Sequence, residues 1–352
     1  MTQAEMQAEG NVQAGAQEME MALKMVGMIS GFWVSRVVYI AAKLGLADIL
    51  KDGAKTAQEV AEETNTHAPS LYRVMRALAG AGVLAEDEEK RFSLTPLGAT
   101  LRSDAPVSLR ALATSELGEV HYPSWGALLH TVKTGERAFD HVFGTDCWDY
   151  FGKHPEYARI FNQSMTEVSR IVAPAVARAY DFSPFKKIVD LGGGHGSLMT
   201  AILKANPELK GVVMDAPQVV AGAKERIEAE GLAERCEAVA GNFFEAVPEG
   251  ADAYIMKHII HDWDDAEAIA ILKNCRKALK DGGKVILVEA VIPKSNEAPS
   301  MATFGDLVMM LIPGGRERTA EEFAAIFAAA GFRMERIIPT ESPMSVIEAV
   351  AA

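Results

Sequence analysis

The segment Ala253-Tyr-Ile-Met-Lys-His-Ile-Ile-His-Asp-Trp-Asp-Asp265 concentrates groups that can do chemistry. Lys257, His258, His261, Asp262, Asp264 and Asp265 follow directly on a short apolar run. Such a run reads as a buried strand that opens into a polar site, and open α/β sheets bind ligands outside the carboxyl ends of their strands. A second strand, Lys284-Val-Ile-Leu-Val-Glu289, also ends in an acid, and Gly314-Gly-Arg-Glu-Arg-Thr319 puts Glu317 on a glycine loop. A carboxylate at the end of a central strand needs a partner or a mouth to open into. His261 with Glu289 and Glu317 has the makeup of a general base with orienting carboxylates. His258, His261 and Asp262 lack a fourth ligand at metal spacing, so no metal is expected. His258 is expected on the opposite side of the strand, as a structural histidine. Asp264 and Asp265 precede the helical run 266–279 and read as a cap and a first-turn charge.

A second set of residues points to a nucleoside-type ligand. Lys187-Ile-Val-Asp-Leu-Gly-Gly-Gly-His-Gly196 is a buried strand that meets Asp190 and breaks into glycines. Glycines allow a sharp turn and let a ligand approach the backbone closely. Residues 197–205 have helical spacing, and a further strand, 211–215, ends in Asp215. Strand, glycine turn, helix, strand, acid is the nucleotide-cradling half of a doubly wound sheet, with the acid placed for ribose hydroxyls. A dinucleotide site wants G-x-G-x-x-G, but here the glycines compress to Gly192, Gly194 and Gly196, with Ser197 next.

Positioning these groups requires an α/β sheet. Strand patterns at 187–191, 211–215, 236–240, 252–258, 284–292, 332–339 and 344–350 alternate with helical ones. The last pair is separated only by 340–343 and predicts a hairpin, with one antiparallel strand at the sheet edge. Ahead of the sheet, 106–180 is helical and aromatic, with Trp125, Phe139, Phe143, Trp148, Tyr150, Phe151 and Phe161, so some of it is expected to wall a flat apolar ligand. In the N-terminal region, Thr56 with Glu59 forms a capping-box pattern. A second helix over 70–78 and a hairpin across the acidic turn 86–90 complete a winged helix. The expected division is 1–105, a winged-helix dimerisation domain; 106–180, a helical connector lining the substrate pocket; and 181–352, the cofactor-binding domain.

The formal charge of −13 argues against nucleic acid as a partner, and Arg73 and Arg76 alone charge the helix that would enter a groove. Residues 18–47 are apolar on more than one face, which predicts a homodimer interface. No run reads as long and apolar enough to span a bilayer, residues 1–9 lack the pattern of a signal peptide, and Cys147, Cys236 and Cys275 have no disulfide or metal spacing. A cytoplasmic protein with no membrane partner is expected.

Taken together, the ordered motifs VDLGGGHG (189–196), MDAPQV (214–219), GNFF (241–244), KHIIHDW (257–263), GGKVILVEAVIP (282–293) and GGRERT (314–319) resemble those of the S-adenosylmethionine-dependent small-molecule O-methyltransferases. The resemblance is to the caffeic acid, hydroxyindole and bacterial polyketide-tailoring type, and it spans nearly the whole chain, including the winged-helix domain. It implies a class I methyltransferase sheet of seven strands, the last antiparallel, and S-adenosyl-L-methionine as cofactor. It also implies that Gly192 and Gly194 cradle the methionine part, beside Asp190, and that Asp215 takes the ribose hydroxyls. Phe243 would pack on the adenine, and Lys257 would sit beside the cofactor. By the same resemblance His261 is the general base flanked by Glu289 and Glu317, and Phe161, Met165 and Met309 wall the acceptor. Asn242 departs from the family's usual Asp; its side-chain oxygen can still accept from an adenine amino group.

The function implied is O-methylation of a hydroxylated aromatic small molecule by in-line methyl transfer. The alternative is a tailoring enzyme that uses the same cofactor for hydroxylation or decarboxylation. A phenol near pKa ~10 and an imidazole near ~6.5 are mismatched by about 3.5 units, roughly 5 kcal/mol, against full proton transfer. The carboxylates are therefore expected to raise the basicity of His261.

Overall fold

The computed structural model describes residues 3–295 and 300–352, with side chains from residue 15 onward. The first residues of the stretch 1–9 lie outside that description. The chain divides into two compact units, 1–117 and 118–352. The boundary falls after the expected 105/106 because the helix Arg110–Glu116 belongs to the first unit: Arg110 Nε donates to the Ala42 carbonyl, and its guanidinium pairs with Asp48.

Helix α1, Gln3–Leu44, opens the first unit. One continuous helix runs through most of the span 18–47 that the sequence marks as apolar on more than one face. Within it, Gly15–Leu44 is long and apolar enough by length and composition to cross a membrane, contrary to the sequence expectation. From Met25 to Ala42 the only charged side chain is Arg36, and apolar residues point in every direction. Met25, Val26, Met28, Ile29, Phe32, Trp33 and Val34 are all exposed. An exposed apolar surface of this extent marks an interaction site.

Behind α1, strand β1 (Lys55–Thr56) leads into the helix Ala57–Thr64, and the helix Ala68–Gly80 follows. The capping box holds: the Thr56 hydroxyl accepts from Glu59 N–H, and the Glu59 carboxylate accepts from Thr56 N–H at 2.7 Å. Strands β2 (Leu84–Glu86) and β3 (Arg91–Leu94) form the expected hairpin, and β3 also pairs with β1. Val60, Met75, Leu78 and Phe92 close the core of this winged helix.

The second unit is built on a seven-stranded sheet: β4 (Lys187–Leu191), β5 (Lys210–Asp215), β6 (Cys236–Ala240), β7 (Ala251–Lys257), β8 (Leu279–Glu289), β11 (Phe332–Pro339) and β12 (Ser345–Ala351). Between β8 and β11 the chain makes a small parallel pair, β9 (Val291–Ile292) with β10 (Arg318–Thr319). The sheet order is β11-β12-β8-β7-β4-β5-β6. The last strand is antiparallel, as expected, but it is not at the edge. It inserts between β8 and β11 and runs antiparallel to both, leaving β11 as the edge strand. The apolar residues Val346, Ile347 and Ala349 are fully buried at that inner position, whereas β11 is half exposed. Strands β4, β7 and β8 are parallel neighbours at the centre, so Asp190, Lys257 and Glu289 emerge side by side.

Candidate active site

Local sequence explains how each polar group reaches the mouth of the sheet. Tyr254, Ile255 and Met256 are fully buried, which fixes β7 between β4 and β8. Beyond Lys257 the strand stops at His258, whose φ of 55° turns the chain. A 3₁₀ turn, Ile260–Asp262, follows, and then the helix Asp265–Ala278. Asp264 caps that helix in a capping box with Glu267, as its position suggested.

The turn is held in place from β8. Glu289 Oε1 accepts from the N–H groups of Ile259 (3.1 Å) and Ile260 (2.9 Å), while its Oε2 lies 3.4 Å from His261 Nδ1. Glu317 Oε1 sits closer, 2.8 Å from Nδ1. A carboxylate there makes Nδ1 the donor and leaves Nε2 as the nitrogen free to take a proton. On the Nε2 side, Asp262 Oδ1 is 3.6 Å away. Burial alone would depress the imidazole, but Glu289, Glu317 and Asp262 outweigh it and lift its pKa to about 10. Burial likewise pushes Glu289 up, although the imidazole holds it back, and drives Asp262 up to about 7. The mismatch with a phenol, about 3.5 units for a free imidazole, is nearly closed in this setting. His261 Nδ1 and the two glutamates also offer donor atoms within 4.8 Å of one another, a spacing that admits a metal ion as well as a proton.

His258 corrects the sequence reading. Rather than lying across the strand, its ring stacks on His261, centroids 5.2 Å apart, with Nε2 2.9 Å from Met344 Sδ. The left-handed turn at this residue swings it round. Burial, with Lys257 and His261 close by, holds it well below the usual histidine range, so it is a neutral neighbour.

The glycine loop lies at the ends of β4 and β5. Gly192, Gly194 and Gly196 all have φ between 57° and 72°, a region that favours glycine. A side chain at Gly192 would strike Ile259, 2.3 Å from the added carbon, with Phe243 just beyond; one at Gly194 would point into open space. Asp215 ends β5. Its Oδ2 accepts from Gly194 N–H and its Oδ1 from Ala216 N–H, each at 2.7 Å. An ionised carboxylate has about four acceptor positions, so this one keeps capacity for two hydroxyls. Asp190 is 1% exposed, and neither carboxylate oxygen has a hydrogen-bond partner. Burial pushes it up to about 7 against the pull of Lys257, and burial in turn lowers Lys257. An orphaned acid behind a side-chain-free loop suits a ligand that brings a cationic amino group. S-adenosylmethionine, with an ammonium, a ribose diol and an adenine, matches Asp190, Asp215 and Phe243 in turn.

Phe243 meets Trp263 edge-on at 6.1 Å and Phe244 at 5.1 Å. Asn242 bonds within its own turn: its Oδ1 accepts from Phe244 N–H at 3.0 Å, and its amide donates to Glu245. It therefore shapes the turn that presents Phe243. Phe161 and Met165 are half-buried on the helix Pro155–Ala179, and Met309 is half-buried on the helix Met301–Leu311. Phe161 stacks on Phe151 at 5.0 Å and meets Trp148 edge-on at 6.3 Å. Trp148 in turn stacks on Trp263 at 5.9 Å, which joins the aromatic wall to the cofactor side.

Sequence reasoning missed several supporting groups. Arg316 N–H donates to the His261 carbonyl, and Asp306 accepts from Glu317 N–H, both at 2.8–2.9 Å. Gly315 leaves no room for a side chain, which would stand 2.0 Å from the His261 carbonyl oxygen. Arg318 is fully buried beside them. Charges following a glycine pair were the available signal, but their partners in the turn at 260–263 are more than fifty residues away.

The chain matches known proteins along most of its length. A family model for the O-methyltransferase domain matches residues 125–333, and one for the O-methyltransferase dimerisation domain matches 26–104. A phenazine O-methyltransferase of Lysobacter antibioticus is 45% identical over 339 residues, which is 96% of this chain and 98% of that protein. The solved structure of a mitomycin 7-O-methyltransferase superposes with a TM-score of 0.89 at 36% identity, covering 96% of this chain and all of that one. An O-methyltransferase from neocarzinostatin biosynthesis, solved with S-adenosylmethionine and 2-hydroxy-5-methyl naphthoic acid, gives 0.78 at 32% identity, with 90% and 96% covered.

Proposed function

This chain belongs to the O-methyltransferase family, and from that premise we propose that it transfers the methyl group of S-adenosylmethionine to a hydroxyl of a small aromatic metabolite, with His261 as general base. The observation that carries the proposal is the buried imidazole held by Glu317 at 2.8 Å through Nδ1, with Nε2 outside that bond and 3.6 Å from Asp262. When bound, the cofactor supplies a methyl group already activated on a sulfonium. The protein must then align the acceptor oxygen and take one proton. In this reading Phe161, Met165 and Met309 hold the ring, and His261 Nε2 receives the hydroxyl proton as the oxygen attacks. Glu289 and Glu317 stabilise the imidazolium that forms. Gly192, Gly194, Asp215, Phe243 and Lys257 hold the cofactor, Asn242 supports Phe243, and Asp190 faces its amino group.

The enzyme acts as a homodimer, and the dimerisation-domain match at 26–104 overlaps the exposed apolar part of α1. We assign that surface to the partner subunit and place the protein in the cytoplasm, where its three buried, unpaired cysteines stay reduced. The alternative of hydroxylation or decarboxylation is not favoured, because the relatives named above are methyltransferases.

Replacing His261 by Ala is the direct test. Turnover with weakly acidic phenols should fall by about 10²–10⁴-fold, with cofactor affinity nearly constant and a smaller loss for acidic phenols. Wild-type turnover in that variant would remove His261 from the chemistry. Full wild-type activity in EDTA is expected as well; loss reversed by added divalent metal would reassign the three clustered groups.

A further inference from the structure

We infer that Arg318 is the positioning residue that fixes the turn carrying His261 against Glu317; the inference rests on the reading of His261 as the base. Its guanidinium is fully buried. Nη1 donates to the Ile260 carbonyl at 3.0 Å, and Nη2 donates to the Trp263 carbonyl at 3.0 Å. Those carbonyls bracket the 3₁₀ turn Ile260–Asp262. Nε and Nη2 also form a fork on Asp265 Oδ1, at 3.0 and 2.7 Å.

One short stretch of chain thus grips the turn at successive residues. Gly315 lies flat against the His261 carbonyl, and Arg316 N–H donates to it. Glu317 takes Nδ1, and Arg318 ties the turn's two ends. The stretch is itself anchored by β10 on β9 through Arg318↔Val291.

A buried cation is an expensive way to gain stability, because a well-packed apolar side chain of similar volume often serves as well or better. Asp265 is about half exposed, and an ion pair open to water contributes little. What the guanidinium provides and an apolar residue cannot is a planar set of donors at fixed angles to two carbonyls and a carboxylate. Its consequence is the spacing of His261 to Glu317, on which the basicity of the imidazole depends. The other groups facing His261 are Glu289 from β8, Asp262 and the stacked His258; Lys257, Asp306 and Arg316 lie one layer out.

The test uses the full-length dimer with Arg318→Lys and Arg318→Ala. We expect kcat to drop on the order of 10²-fold, the scale of an ångström of misplacement, with KM for S-adenosylmethionine little changed. NMR titration of the labelled His261 imidazole should give a lower pKa in both variants. Added guanidinium should restore part of the turnover of Arg318→Ala, and ammonium should not. A folded Arg318→Lys enzyme with unaltered kcat and imidazole titration would overturn the inference. So would a variant that lost only thermal stability. If neither variant folds, Asp265→Asn removes the carboxylate that holds the fork and is read in the same way. The titration reports on positioning whether or not His261 is the base. Wild-type activity in His261→Ala together with a shifted titration would therefore refute the base assignment and leave Arg318 in its role.

Discussion

Replacing Glu317 by Gln separates a base tuned by its partner from a base merely held by it. The amide keeps an oxygen near Nδ1, now at 2.8 Å, and so preserves the tautomer, but it removes the charge. A hydrogen bond to a charged group is worth about 1.5–3 kcal/mol, which at 1.36 kcal/mol per unit lowers the imidazole pKa by about 1–2 units. The starting value is about 10, raised against burial by Glu289, Glu317 and Asp262. The wild-type imidazole is therefore mostly protonated at neutral pH, and kcat/KM should climb with pH toward the phenol's own pKa.

Two effects of the substitution then oppose each other. Below both pKa values more of the variant carries the neutral base, by about 10–100-fold for 1–2 units. Each neutral imidazole is a weaker base, and with a Brønsted coefficient of about 0.5 this costs about 3–10-fold. The profiles should cross. Near pH 7 the variant should match or exceed wild type, and near pH 10 it should be about 3–10-fold slower, with its acid limb displaced downward. The assay is kcat/KM for methyl transfer to a weakly acidic phenol between pH 6.5 and about 10, a window set by the ordinary and perturbed imidazole values. Parallel profiles, with one uniform loss at every pH, would refute the reasoning and reduce Glu317 to a structural contact.

Two further predictions concern binding. Asp215→Ala should weaken S-adenosylmethionine by about 1.5–3 kcal/mol in calorimetry, since two ribose hydroxyls lose a charged acceptor, and an unchanged affinity would contradict the assignment. Because Asp215 also holds Gly194 and Ala216, Asp215→Asn should lose less. The pair Phe32→Glu and Trp33→Glu on α1, both exposed in the single chain, should give monomers in light scattering, each substitution removing about 1.5–3 kcal/mol of apolar burial. A dimer of undiminished affinity would move the interface elsewhere.

How far these features were legible in the sequence depended on how locally each was encoded. Asp190, Asp215, Lys257 and Glu289 could be read because each ends an apolar run, and the ends of parallel strands converge by the rules of the sheet. The capping boxes at Thr56 and Asp264 are patterns of four residues. The position of β12 was not legible in this way: a hairpin fixes that β11 and β12 pair, but not which of them meets β8. His258 was misplaced because strand alternation was extended one residue past the strand's end, where φ turns positive. Arg318 could not be recognised, because each of its turn partners lies more than fifty residues earlier, and nothing at 318 distinguishes a buried guanidinium from an exposed one. The membrane-like hydropathy of α1 and the dimer surface assigned to it rest on the same apolar residues.

The imbalance of charge at the mouth of the sheet is best understood through what enters and leaves. Asp190, Asp215, Asp262 and Glu289 are all pushed upward by burial, and Lys257 is pushed down. A cluster of acids that resist ionisation is an unfavourable arrangement in the free protein, and it is relieved by a cation. A sulfonium cofactor with an ammonium group brings two positive charges to that cluster, and the demethylated product keeps only one. In the arrangement proposed above, the same acids favour the donor over the spent product and stabilise an imidazolium at His261 after proton transfer. Asp190→Asn should therefore weaken binding of the methylated cofactor more than of its demethylated product, and an equal loss for both would place the sulfonium outside the field of Asp190. The ratio of the two dissociation constants measures that difference directly.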